Sequence, residues 1–143
     1  MSKTTNGIDD RSLDILTKTL WGEARGEPYK GLVAVAHVIL NRARKPGWWG
    51  SSIETVCLKQ WQFSCWNKSD PNYAYLSGLK AIPGRDYVRC RDAALAAVQG
   101  HETDPTGGAT HYYATALRNP PAWARGAKMT VAIGGHVFFK DVP

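Results

Sequence analysis

The order of patterns along the chain predicts an α+β domain, mainly helical in its N-terminal part, with a small antiparallel β-sheet toward the C-terminus. Apolar residues recur at helical spacing through two early stretches, and an alanine-rich stretch from Arg85 to Gln99 ends at Gly100. From Thr110 onward the pattern turns to strands, with Gly134-Gly135 separating Met129–Ile133 from His136–Lys140 as a two-residue hairpin turn would. With 143 residues, 43% apolar and 21% charged, the chain suits a single hydrophobic core. Residues 9–143 therefore read as one domain, and residues 1–8 as a flexible polar tail.

Taken in order, Leu13, Leu16 and Leu20 mark one face of a helix from Asp10 or Ser12 to about Arg25, with Gly26 as its stop. The same rhythm continues onto Glu23 and then Glu27, which aims Glu23 at the interior. Glu27-Pro28 opens a second helix, whose body from Gly31 to about Arg44 is apolar on nearly every side and so belongs in the middle of the fold. Lys45-Pro46-Gly47 breaks it. Ser51 and Glu54 have capping-box spacing before a short helix ending near Leu58. Residues 60–67 are rich in aromatics and amides and favour no regular structure. Tyr73–Leu79 makes a short helix, Asp104–Gly108 a turn, Thr110–Thr115 a strand, and Asn119-Pro120-Pro121 a loop.

Charge and composition narrow the functions. A net charge of +6 points to an anionic partner: nucleic acid, a membrane surface, or an acidic polymer such as a bacterial cell wall. The basic residues are scattered and form no nucleic-acid motif, so nucleic acid is not expected. The longest apolar run, Leu32–Leu40, is too short to span a bilayer, so no membrane insertion is expected. Met1–Asp10 lacks the apolar segment of a secretory signal. Cys57, Cys65 and Cys90 form no C-x-x-C pair, and reduced thiols are the default.

Among residues that carry chemistry, Glu23 fits a general acid/base. A carboxyl at a helix end facing a partly apolar cleft has a raised pKa and can protonate a leaving oxygen, as glycosidic cleavage requires. The plainer alternative is a structural pair with Arg25. A second acid would come from Glu27, Glu54, Asp70, Asp86 or Asp104, and Glu27 equally suits pairing with Arg25 or capping the second helix. Gln60, Gln62 and Asn67 can donate and accept to sugar hydroxyl and N-acetyl groups, and Trp61, Phe63 and Trp66 offer flat apolar faces. Packing of those rings into the core is the competing reading. Tyr112 and Tyr113 in a strand should place one ring inside and one outside. His37, His101, His111 and His136 show no metal-ligand spacing, although His111, His136 and one other ligand assembled in space would make a zinc amidase. Cys65 with a distant histidine would make a thiol nucleophile. No cofactor is expected.

These residues also carry a resemblance. Leu20-Trp21-Gly22-Glu23-Ala24-Arg25-Gly26-Glu27-Pro28, followed by Gly31–Ala36 and Val38–Arg42, resembles the leading motif of SleB-type cell-wall hydrolases. These are the catalytic domains of spore-cortex-lytic enzymes and occur in many phage endolysins. Gln62-Phe63-Ser64, Asp104–Ala109 leading into Tyr112-Tyr113, and Ile133–Phe138 follow in the same order.

The resemblance, over about residues 12–140, implies a lysozyme-like fold similar to lytic transglycosylases. It also implies cleavage of the β-1,4 bond between N-acetylmuramic acid and N-acetylglucosamine in peptidoglycan. It puts the single catalytic glutamate at Glu23, with Gln62, Phe63, Ser64, Trp66, Tyr112 and Tyr113 as substrate-binding candidates and Arg25 and Glu27 in supporting roles. The expected route is that of a lytic transglycosylase, in which the muramoyl 6-hydroxyl closes a 1,6-anhydro ring. A muramidase using water at the same site, a zinc-dependent N-acetylmuramoyl-L-alanine amidase and a non-catalytic wall-binding module are the alternatives. The chain departs from the longer members in its Asn119-Pro120-Pro121-Ala122-Trp123 loop. A short, basic, signal-less domain suggests a monomeric phage endolysin that waits in the host cytoplasm until a holin releases it to the wall. Its charge would then hold it to anionic envelope polymers.

Overall fold

The computed structural model describes residues 4–143 except 6, 46, 61, 101 and 102. Two short strands, β1 (Thr4–Thr5) and β2 (Ile8–Asp9), pair antiparallel and lead into α1 (Asp10–Ala24). Asp9 caps α1 by accepting from the Ser12 N–H at 2.9 Å. The expected tail boundary moves: Ile8 is buried in the core, so the packed unit starts before residue 9.

α1 and α2 (Tyr29–Arg44) form the helical centre with α5 (Gly84–Gln99). Leu16, Leu20, Leu32, Val35, Val38 and Ile39 are fully buried there, and each such side chain contributes about 1.5–3 kcal/mol by leaving water. α2 is buried along most of its length, as its all-round apolar sequence requires. The turn between α1 and α2 is tight: Arg25 closes α1 in a right-handed conformation, so Gly26 does not supply the expected left-handed stop. Pro28 sits at the N-cap of α2.

Beyond α2 come α3 (Ile53–Leu58), a 3-10 turn (Ser64–Trp66) and α4 (Tyr73–Leu76). The capping box of α3 is built by Ser52 and Thr55 rather than Ser51 and Glu54. Glu54 instead accepts from Arg11 Nε at 2.7 Å. The break at Pro46 lies outside the described residues. α5 ends on Gly100 at φ +72°, a left-handed cap that glycine adopts at no steric cost.

The sheet has the order β3–β5–β4, from β3 (His111–Ala114), β4 (Lys128–Ile133) and β5 (His136–Lys140). Tyr112 faces Phe138 across the β3–β5 pair, and Ala114 faces His136. β3 is tied to the end of α2 by a polar clasp. Asp104 accepts from Thr106 N–H, Thr106 Oγ1 and Gly108 N–H, and Asn41 Nδ2 donates to both Asp104 Oδ2 and the Ala109 carbonyl. Arg42 Nε donates to the Thr110 carbonyl at 2.6 Å. Two of the sequence blocks, Asn41-Arg42 and Asp104–Ala109, are thus the hinge that sets the sheet against the helices. Among the described residues, no helix is long and apolar enough to cross a membrane.

Candidate functional site

The last turn of α1, the turn into α2 and the β4–β5 turn enclose a cleft of about 450 Å³. Gly22, Glu23, Arg25 and Glu27 line one side, with Asn72, Ala114, Gly135 and His136 around them. Glu23 is partly buried at its floor. Tyr112 Oη donates to Glu23 Oε1 at 2.9 Å, reaching across from the sheet, and the Cys65 thiol lies near enough to the same carboxyl to lower its pKa. Burial holds the Glu23 carboxyl above its ordinary range. The Tyr112 and Cys65 hydrogen bonds and the nearby His136 oppose that rise, and the charge of Asp70 adds to it.

Gly22 explains how Cys65 comes so close. A Cβ at position 22 would stand 2.6 Å from Cys65 Cβ and 2.8 Å from its Sγ, a separation that packed atoms do not tolerate. The glycine of Trp21-Gly22-Glu23 therefore makes room for the residue that touches the glutamate. Cys65 itself is buried, and burial followed by the Glu23 charge pushes its thiol far up. A thiol so held stays protonated and is no nucleophile, which removes that alternative.

Glu27 occupies the turn after α1 and reaches the sheet. Its Oε1 accepts the Gly135 N–H at 2.8 Å and lies 3.2 Å from His136 Nδ1, an ionic contact that makes no hydrogen bond. Arg89 Nη2 donates to the Glu27 carbonyl at 2.7 Å. Gly134, at φ +56°, leaves space for the carboxylate: a Cβ there would lie 2.6 Å from Glu27 Oε1. Arg25 pairs with neither glutamate. It lies over the Trp21 ring at 4.1 Å and donates to the Trp21 carbonyl.

The amide- and aromatic-rich segment does not line this cleft as one surface. Phe63 is 3% exposed and packs in the core under the Arg42 guanidinium, so it offers no face to a ligand. Trp66 donates from Nε1 to Thr19 Oγ1 and lines a separate depression with Gln60 and Asn67. Ser64 is exposed at the start of the 3-10 turn. Gln62 spends its Nε2 on the Val56 and Trp49 carbonyls and lines a recess with Arg42, Trp48, His111, Tyr112 and Trp123. Trp61 and His101 lie outside the described residues. The segment disperses because it has no regular period: the loop and the 3-10 turn at Ser64–Trp66 leave each side chain to the neighbour it meets, Arg42 for Phe63 and Thr19 for Trp66.

Tyr112 and Tyr113 point to opposite faces of β3, as neighbouring strand residues do. Tyr113 stacks on Phe139 and meets Trp123, away from Glu23. His111 and His136 also divide between the faces, because His111 shares the Phe139 face and His136 the Tyr112 face. They cannot ligate one ion, so the zinc-amidase pair is not assembled. His37 is buried within α2. Of the residues around Glu23, sequence reasoning passed over Asn72, and it weighed His136 and Cys65 only as a metal ligand and a nucleophile, not as neighbours of the glutamate. For Cys65 the legible signal was Gly22, a glycine inside an otherwise good helix.

Helices against a small sheet, with one desolvated carboxyl at the floor of the cleft between them, define a lysozyme-like enzyme domain. The cell wall hydrolase family model matches residues 26–139, and the chain belongs to that family. The match begins just after Glu23.

Among curated proteins, the chain is 32% identical over 149 residues to a spore cortex-lytic enzyme of Halalkalibacterium halodurans, covering 96% of this chain and 38% of that protein. It is 30% identical over 136 residues to the spore cortex-lytic enzyme of Bacillus subtilis, covering 92% of this chain and 38% of that protein. The chain thus spans less than half the length of these relatives. Among solved structures it is similar to the catalytic domain of the germination-specific lytic transglycosylase SleB from Bacillus anthracis (TM-score 0.73, 28% identity, 96% of this chain and 100% of that one). It is also similar to the catalytic domain of the Bacillus cereus SleB protein (TM-score 0.71, 29% identity, 96% and 98%). These relatives overturn the expected location. They are bacterial spore enzymes, not phage lysins held in a host cytoplasm until a holin releases them.

Proposed function

We propose that this domain cleaves the glycan of peptidoglycan at the N-acetylmuramic acid–N-acetylglucosamine bond, as a lytic transglycosylase with Glu23 as its one acid/base. The observation that carries this reading is the Glu23 carboxyl itself: partly buried in the cleft, raised in pKa by that burial, and aimed by Tyr112. A carboxyl so placed keeps its proton to higher pH than a free glutamate and delivers it to the glycosidic oxygen as the bond breaks. As carboxylate it then takes the proton of the muramoyl 6-hydroxyl, which attacks the anomeric carbon and closes the 1,6-anhydro ring.

A retaining hydrolase would need a second carboxylate about 5–5.5 Å away as nucleophile. Among the described residues the other carboxyl lining the cleft is Glu27, which is already engaged by the Gly135 N–H beside His136, in a positioning role. An attacking group supplied by the substrate fits this arrangement. The names of the relatives, spore cortex-lytic enzymes and a germination-specific lytic transglycosylase, support cell-wall peptidoglycan, including that of the spore cortex, as the substrate class. The domain acts as a monomer, and its net charge of +6 draws it to anionic envelope polymers.

The test is digestion of purified sacculi with wild type and Glu23→Gln, followed by mass spectrometry of the released fragments. Anhydro-muramic ends from the wild type and none from the variant are expected. Reducing muramic ends would make the same site a muramidase. Sedimentation with sacculi and no fragments would make the domain a binding module, and full activity in the variant would remove Glu23 from the chemistry.

A further inference from the structure

On the far side of Tyr112 from Glu23 lies a recess of about 230 Å³, lined by Arg42, Trp48, Gln62, His111, Tyr112 and Trp123. Its floor holds a buried cation. Arg42 is 8% exposed, lies 5.4 Å from the Phe63 ring and 5.7 Å from the Trp49 ring, and uses only Nε, on the Thr110 carbonyl. Among the described residues it has no carboxylate partner, and the two Nη groups of its fork are unspent. Burying a guanidinium with no ion pair is costly, and burial lowers its pKa even though the charge of Glu23 opposes that fall. Tying β3 to α2 needs the Nε bond alone and does not account for the rest of the fork.

The neighbours have the complementary chemistry. Gln62 is pinned by its Nε2 bonds, and its Oε1 is buried with no hydrogen-bond partner among the described residues. It is an acceptor waiting for an N–H or O–H. Burial and the Arg42 charge push the His111 imidazole down to about 4, so it is neutral and adds no second charge. Trp48 is 67% exposed, and Trp123 packs 4.9 Å from the His111 ring, so indoles flank the opening. Trp123 comes from the 3-10 turn Ala122–Ala124 that follows the Pro120-Pro121 loop.

We propose that this recess is a subsite for a carboxylate carried on the side arm of the wall glycan, either the lactyl group of muramic acid or the peptide attached to it. The guanidinium fork takes the carboxylate in a bidentate pair, Gln62 Oε1 accepts an adjacent N–H or O–H, and Trp48 and Trp123 cover the apolar part of the arm. The placement follows from the sheet. Ala114 lines the Glu23 cleft and His111 the recess; they stand three residue steps apart, roughly 10 Å along β3 and on its opposite faces, so a ligand reaches both by passing around the outer edge of this end strand of the sheet. Tyr112 borders the recess and also bonds Glu23, so one glycan strand along the edge of β3 reaches both. This inference rests on the peptidoglycan reading above and adds to it which feature of the polymer is recognised.

The test uses binding, so that it stands apart from cleavage. In the Glu23→Gln background, tryptophan fluorescence is titrated with three probes: N-acetylglucosamine oligomers, peptide-free peptidoglycan glycan oligomers bearing lactyl carboxylates, and peptide-bearing muropeptides of the same glycan length. One or both carboxylate-bearing probes should bind about tenfold to a hundredfold more tightly than the neutral oligomer. The tighter of the two tells lactyl from peptide.

Arg42→Lys, which keeps the charge and loses the fork, should erase most of that preference. Trp48→Ala, at an exposed position where folding is not at stake, should weaken all three probes and abolish part of the fluorescence change. Equal affinity for the neutral and carboxylate probes, or a preference unchanged in Arg42→Lys with an unaltered melting temperature, would overturn the proposal. Failure of the catalytic reading shows separately, as sacculus lysis surviving in Glu23→Gln.

Discussion

Replacing Tyr112 by phenylalanine isolates the contact on which the proposed chemistry depends most. The ring is held by Phe138 at 5.6 Å and His136 at 4.9 Å, and phenylalanine preserves that packing. The one loss is the 2.9 Å hydrogen bond to Glu23 Oε1. A hydrogen bond to a charged group contributes about 1.5–3 kcal/mol, and a pKa change of one corresponds to about 1.4 kcal/mol. The phenol favours the carboxylate form, so its loss should raise the Glu23 pKa by about one to two pH units. A reaction that begins with protonated Glu23 then keeps its rate to higher pH. The alkaline limb of the kcat/KM profile should move up by that amount, with a lower maximum because the acid is weaker.

Stability follows the same sign. A folded-state pKa raised further above the unfolded value means stability present at low pH and lost as pH rises through the folded pKa. Tyr112→Phe should therefore lose more melting temperature at pH 8 than at pH 5. Turbidity clearance of sacculi across pH, with thermal melts at each point, measures both. An alkaline limb that stays in place in a folded variant would refute the assignment of Glu23 as the acid.

Three further outcomes are expected. Glu23→Gln should lower turnover by about a hundredfold to ten-thousandfold. It should also raise the melting temperature, by an amount that grows as pH rises from the unfolded carboxyl pKa through the raised folded one and then levels off, because the desolvated charge is gone. Gly134→Ala should cost about 1–3 kcal/mol in chemical denaturation, since its Cβ would lie 2.6 Å from Glu27 Oε1 and 3.0 Å from Pro28 Cδ at φ +56°. Burial raises the Asp104 carboxyl, but the Thr106 and Asn41 hydrogen bonds outweigh it and hold the pKa below its ordinary range. Its stabilisation is thus present above the unfolded pKa and lost as pH falls, and Asp104→Asn should destabilise the fold at pH 7 far more than at pH 3, as read by melts at the two pH values.

Much of the fold was legible because its signals are local. Helical spacing, alanine content and Gly100 located α5 to within a residue, and Gly134-Gly135 located the β4–β5 turn. The capping of α3 slipped by one residue because Ser51 and Ser52 are both competent caps and only the chain path selects between them. The β1–β2 pair escaped because two-residue strands carry no periodicity.

The candidate site divides the same way. By itself the chain determined that Glu23 would stand at the inner edge of α1, since three leucines at helical spacing set that face, and that Glu27 would fall past the helix end. Only the tertiary structure decided what surrounds them. Tyr112 is far along the chain and reaches Glu23 because Asn41, Arg42 and Asp104 dock β3 against α2. Phe63 went to the core, Trp66 and Gln62 to two other depressions, and Arg42 to the floor of one of them. A side chain's direction within a regular element follows from its period. Its direction in a 3-10 turn or loop follows from which neighbours arrive, and those neighbours are distant in sequence.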